Sequence, residues 1–112
     1  MKIGNHNWKI LIVSREEING DDGQCIPTLL TIKLADDFSG EYRKIAFTHE
    51  LIHAIFDEQG RYYEKEISHE DLCEFVAWNY DEIERCVNEF VEEIGLWLLF
   101  QFGYLAFYCF FH

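Results

Sequence analysis

Residues 42–57 read Tyr42-Arg43-Lys44-Ile45-Ala46-Phe47-Thr48-His49-Glu50-Leu51-Ile52-His53-Ala54-Ile55-Phe56-Asp57. The stretch holds neither Gly nor Pro, Ser39 offers an N-cap ahead of it, and Gly60 follows as a stop. One helix is therefore predicted over 42–57. With Ile45 as reference and about 100° per residue, Ile52, Ile55 and Phe56 gather beside it as the expected buried stripe. His49, Glu50 and His53 fall on the flank of that stripe. Positions i and i+4 of a helix lie one above the other, so His49 and His53 can present two imidazoles to one metal ion. Glu50 then stands where a carboxylate could take a proton from metal-bound water. Zn2+ suits such a site, since it accepts nitrogen and oxygen ligands tetrahedrally and keeps one position open in catalytic sites. The competing reading is two surface histidines on an amphipathic helix.

A third protein ligand is needed, and the next helical run offers carboxylates. From His69 to Val87, apolar residues at 72, 75, 76, 79/80, 83 and 87 recur with a helical period. Glu70 and Glu74 share a face roughly opposite Leu72 and Val76, which makes them either a solvated surface or a metal-facing pair. In the metal reading one of them binds zinc and the other orients a ligating histidine, with Glu70 favoured over Glu74. His69 and Cys73 are further candidates.

The segment from Arg43 through Ile83 resembles the small zincin-type metallopeptidases of phages and mobile elements, related to the ImmA/IrrE group. The similarity lies in the core His49-Glu50-Leu51-Ile52-His53-Ala54, a short linker, and the acidic run Glu70-Asp71-Leu72-Cys73-Glu74-Phe75-Val76-Ala77 leading to Asp81-Glu82-Ile83. A weaker likeness lies at Gly4 to Ile10, which reads as an opening strand. The resemblance implies a minimal zincin-like domain and a peptide or protein substrate. It also implies a Glu as third ligand with an acidic residue four positions later, as Glu70 and Glu74 stand. By the same resemblance, Thr31 to Leu34 is the edge strand along which an extended substrate lies. Tyr62 or Tyr63 would donate to the oxyanion of a zinc-dependent hydrolysis. The alternative is a non-catalytic acidic binding or inhibitor protein on the same scaffold; Glu50, a base set between two ligands, tilts the reading to an enzyme.

Elsewhere the chain fits an α+β domain over residues 1–94 followed by an apolar segment, 95–112. Trp8 to Val13 reads as a strand, Asn19-Gly20-Asp21-Asp22-Gly23 as a turn, and Cys25 to Leu34 as β-rich with Pro27 near its start. The 49% hydrophobic content supports one core, and no linker or repeat interrupts it. Nine basic against 21 acidic residues give a net charge of −12, which disfavours nucleic acid as a partner and favours basic ones. Cys25, Cys73, Cys86 and Cys109 lack CxxC spacing, and no leader-like segment precedes Trp8. Reduced, buried thiols in a cytoplasmic protein are expected.

From Gly95 to Phe111 no residue is charged and eight are aromatic. As a helix this reaches about 25 Å, short of a hydrocarbon core about 30 Å thick. No Lys or Arg flanks it, and Glu92 and Glu93 abut it. Packing on the domain or in a homodimer interface is favoured over a membrane anchor.

Overall fold

In the computed structural model, residues 1–61 and 66–111 are described, with 94–111 as helical backbone only. The expected α+β class holds: two small sheets and two helices enclose one core. A two-stranded hairpin, β1 (Lys2–Ile3) and β2 (His6–Asn7), opens the chain. Gly4, expected within a strand, is its turn, at φ +58°. The second sheet comprises β3 (Lys9–Val13), β4 (Gly23–Ile26) and β5 (Thr31–Ala35), in the order β3-β5-β4. β5 runs parallel to β3, from Lys9↔Thr31 to Val13↔Ala35, and antiparallel to β4.

That order corrects one expectation. Thr31 to Leu34 is the central strand, and β4 is the outer strand beside the first helix. The cause is local. Pro27 ends β4 in a 3-10 turn, Leu30 turns left-handed at φ 48°, and its N–H bonds the Pro27 carbonyl at 3.0 Å. This hairpin lays β4 on one side of β5 and leaves the other side for β3. With neighbours on both sides, β5 buries Ile32 and Leu34 completely.

Helix α1 spans Glu41–Glu58, matching the predicted helix to within a residue at each end. Gly60, at φ +72°, stops it: the Gly60 and Arg61 N–H groups bond Asp57 O at 2.9 Å and Phe56 O at 2.8 Å. Gly40 rather than Ser39 occupies the N-cap, without a side-chain bond. The buried face also differs from the expected stripe. Phe47, Leu51, Ala54 and Ile55 face the core, whereas Ile45 is 60% exposed. The helix is thus turned by roughly a third of a revolution from the Ile45-centred reading. Phe47, outside that stripe, is the largest fully buried side chain of the helix.

Helix α2 runs His69–Phe111 without a break, across the boundary expected at residue 95. Ser68 Oγ caps it by accepting the Asp71 N–H at 3.1 Å. It packs on α1 through stacked rings, Phe75 on Phe56 and Phe90 on Phe47, with centroids 4.0 and 4.1 Å apart. Leu72 and Val76, predicted for the buried face, are 40% and 38% exposed, because Phe75, Cys86 and Phe90 set the contact instead. Among the described residues no helix is long and apolar enough to cross a membrane. What the side chains of 95–111 touch lies outside the described residues.

The N-terminal hairpin is clamped by carboxylates from both helices. Glu58, its side chain 6% exposed, lies 2.8 Å from His6 Nδ1. It also accepts the Asn5 N–H at 3.1 Å and the Trp8 indole N–H at 3.2 Å. Glu82 accepts the Gly4 N–H at 3.0 Å, and Arg85 donates to both Glu82 and the Lys2 carbonyl. Burial alone would raise the Glu58 carboxyl, but the bonds from His6, Asn5 and Trp8 outweigh it and hold the group below its ordinary 4.5. A lowered folded value stabilises the fold above pH 4.5 and loses that contribution as pH falls. Glu58→Gln is therefore expected to cost about 1–3 kcal/mol at neutral pH. Denaturant melts across pH should show the deficit shrinking in acid; a pH-independent deficit would rule the carboxylate clamp out.

Candidate functional site

The rotation of α1 that buries Phe47, Leu51 and Ala54 sets the three motif residues apart. His49 and His53 emerge on the outer side, and the His49 side chain is 68% exposed. Their rings lie 5.0 Å apart, centre to centre, at 70°. Glu50, between them in sequence, turns inward and is only 8% exposed. Its Oε1 stands 4.0 Å from His49 Nε2, and among the described residues nothing donates it a hydrogen bond.

Glu50 sits against the outer strand. A Cβ on Gly23 would come within 2.9 Å of Glu50 Cγ and 3.3 Å of its Oε1. Gly23 lacks the positive φ of Gly4 or Gly60, so here glycine supplies space rather than backbone freedom. Glu50 lines two cavities at once. One, about 510 Å³, is bordered by Cys25, Pro27, His53 and Phe56. The other, about 400 Å³, is bordered by Asp21, Asp22 and His49.

These surroundings raise the Glu50 carboxyl above its ordinary 4.5. Burial is the largest cause; His49 and His53 oppose it, and Asp21 adds to it. A carboxyl moved toward neutrality is better matched to proton transfer near neutral pH. Cys25, on the same cavity wall, is pushed up to about 12 by burial and by the charges of Glu50 and Asp57, so its thiol stays protonated and unreactive. Among the described residues Cys25, Cys73 and Cys86 are free thiols, and Cys73 is exposed rather than buried as expected.

The helix of Glu70 and Glu74 does not join this group. His69, Glu70, Cys73 and Glu74 are all exposed on the first turns of α2. Glu74 borders a separate cavity with Gln59, Arg61 and Trp78. Among the described residues no three His, Cys, Asp or Glu side chains converge closely enough to hold a metal ion. His49, His53 and Glu50 are thus brought together, whereas the third-ligand candidates are not. Tyr62 and Tyr63 lie outside the described residues.

Sequence reasoning passed over Asp21, Gly23 and Cys25 as parts of the site. Asp21 and Gly23 read only as turn residues and Cys25 as strand, and nothing in the linear pattern puts β4 as well as β5 against α1. In comparisons with known proteins, no family model, no curated protein and no solved structure matches the chain.

A carboxyl raised in the folded state favours the fold fully below pH 4.5, and that contribution is lost as pH rises through the folded value. Metal-free Glu50→Gln should therefore melt higher than the parent at neutral pH, with the gap closing toward mild acid. Thermal melts in chelator test this. A gap that does not change with pH would mean that Glu50 is not held in a desolvated place.

Proposed function

We propose that the chain is a zinc-dependent hydrolase acting on peptide bonds, with Glu50 as general base. The observation that carries the reading is Glu50 itself. It is a buried carboxylate with no hydrogen bond among the described residues, open to two cavities and flanked on one helix by two histidines. A carboxylate largely removed from water without a protein donor costs stability, and such groups are commonly kept where chemistry uses them. The alternating exposure of His49, Glu50 and His53 fits a metal outside the helix and a base beside it.

His49 and His53 would supply two ligands; Glu70 and Glu74, the proposed third ligands, stand apart from them on the exposed first turns of α2. Zinc held by the two histidines would supply an acidified water and polarise a carbonyl. Glu50 accepts the proton from the attacking water. The water oxygen bonds the carbonyl carbon, the C–N bond breaks, and the proton passes from Glu50 to the departing amine. The reading joins the chain to the small HExxH zincins of the ImmA/IrrE kind, supported by His49-Glu50-Leu51-Ile52-His53-Ala54 and the acidic helix that follows.

A second reading, an acidic binding protein on this scaffold, draws on the exposed aromatics of α2. Trp78 is 86% and Tyr80 58% exposed on different sides of that helix, in a chain of net charge −12. One experiment separates the two. Protein purified without chelator should carry about one zinc per chain by elemental analysis, and His49→Ala should lose it. Glu50→Gln should keep zinc while hydrolysis of a denatured-protein pool falls by about 10²–10⁴-fold. Removing the true third ligand, by Glu70→Ala or Glu74→Ala, should abolish tight zinc binding; the other variant should weaken it by about 10–100-fold. Zinc-free parent protein with no hydrolysis would turn the conclusion to the binding reading.

A further inference from the structure

The two cavities that meet at Glu50 differ in chemistry. On the His49 side stand Asp21 and Asp22. Asp22 is answered by Arg15, whose Nη1 lies 2.8 Å away and which also holds Asp37. Asp21 is exposed, and among the described residues its carboxylate has no hydrogen-bond or ion-pair partner. On the His53 side the wall is made by Pro27, Phe56, Ile67 and the protonated Cys25 thiol. Arg61 closes that end from above the Phe56 ring, 5.4 Å from its centroid.

β4 connects these surroundings. It begins at Gly23, beside the acidic cavity, and gives way to Pro27 beside the apolar one. It is the last strand of its sheet, bonded only to β5 among the described residues. Four extended residues cover about 13 Å. A peptide lying along β4 would thus reach both cavities while crossing Glu50, and successive side chains would be available to each. Glu50, more than nine-tenths buried, opens onto both spaces.

Resting on the reading of Glu50 as the base, we propose that the substrate is an extended peptide with a basic side chain on the Asp21 side of the scissile bond and an apolar one on the Phe56 side. Asp21 attracts the cation, and the Phe56 cavity takes apolar surface out of water.

The test uses octapeptides centred on Lys–Leu and Leu–Lys, with norleucine replacing Lys and Asn replacing Leu as controls. kcat/KM is measured with the zinc-loaded parent, and affinity by fluorescence anisotropy with Glu50→Gln. In one of the two orders, Lys should be preferred over norleucine by about fivefold in both measurements. That ratio should fall toward one in Asp21→Asn, in the parent and Glu50→Gln backgrounds alike, and shrink as salt is raised. Asn in place of Leu should lower kcat/KM by about tenfold. Equal treatment of Lys and norleucine, in cleavage and binding alike, would overturn the proposal even if the peptides are cut. A Lys preference in binding that Asp21→Asn removes, without any cleavage, would uphold the recognition and sink the hydrolase reading instead.

Discussion

The angle at which α1 lies on its own axis decides most of this molecule. Phe47, Leu51, Ala54 and Ile55 are buried against Ile32 and Leu34 of β5, and the stacked pairs Phe47–Phe90 and Phe56–Phe75 hold the helix to α2. Burying each large side chain is worth roughly 1.5–3 kcal/mol, so a different rotation would forfeit several of them. Once that face is in, His49 and His53 have to be out, and Glu50 has to lie at the boundary. The motif's geometry follows from hydrophobic packing that involves none of its three polar side chains.

Two other carboxylates show how unusual the state of Glu50 is. Glu58 and Glu82, further along the two helices, are also partly or largely buried, yet both accept hydrogen bonds from the N-terminal hairpin. Their carboxyls are held below the ordinary value, whereas that of Glu50 is held above it. Burial acts in the same direction on all three. The difference is donors, which the hairpin gives to Glu58 and Glu82 and nothing described gives to Glu50. Structural carboxylates and the candidate base are thereby separated by environment rather than residue type.

The helix around His49 and His53 was legible because it needs only local information: a long run without breakers, a glycine after it, and an i, i+4 pair. The strand of 9–13 was legible for the same reason. Rotation of α1 was not, because Ile45 and Phe47 are both apolar, and only the tertiary partners Phe90, Ile32 and Leu34 choose between them. The face of α2 was misread likewise, since Leu72 and Val76 fit the helical period as well as Cys86 and Phe90 do. Strand order escaped entirely: alternation along Cys25 to Leu34 does not reveal that Pro27 folds the segment back on itself. The placing of Glu50 beside the histidine pair could therefore be read, while the wall of Asp21, Gly23 and Cys25 depended on a hairpin visible only in three dimensions.

Gly23 ties the history of two positions together. Since a single methyl there would collide with the Glu50 stem at 2.9 Å, residues 23 and 50 share one small volume. Ala or Ser at 23 would require the Glu50 side chain to be displaced or residue 50 to be shortened. In related sequences, glycine at the first position of the outer strand should then accompany a full-length carboxylate at position 50, and a bulkier residue a shorter side chain there.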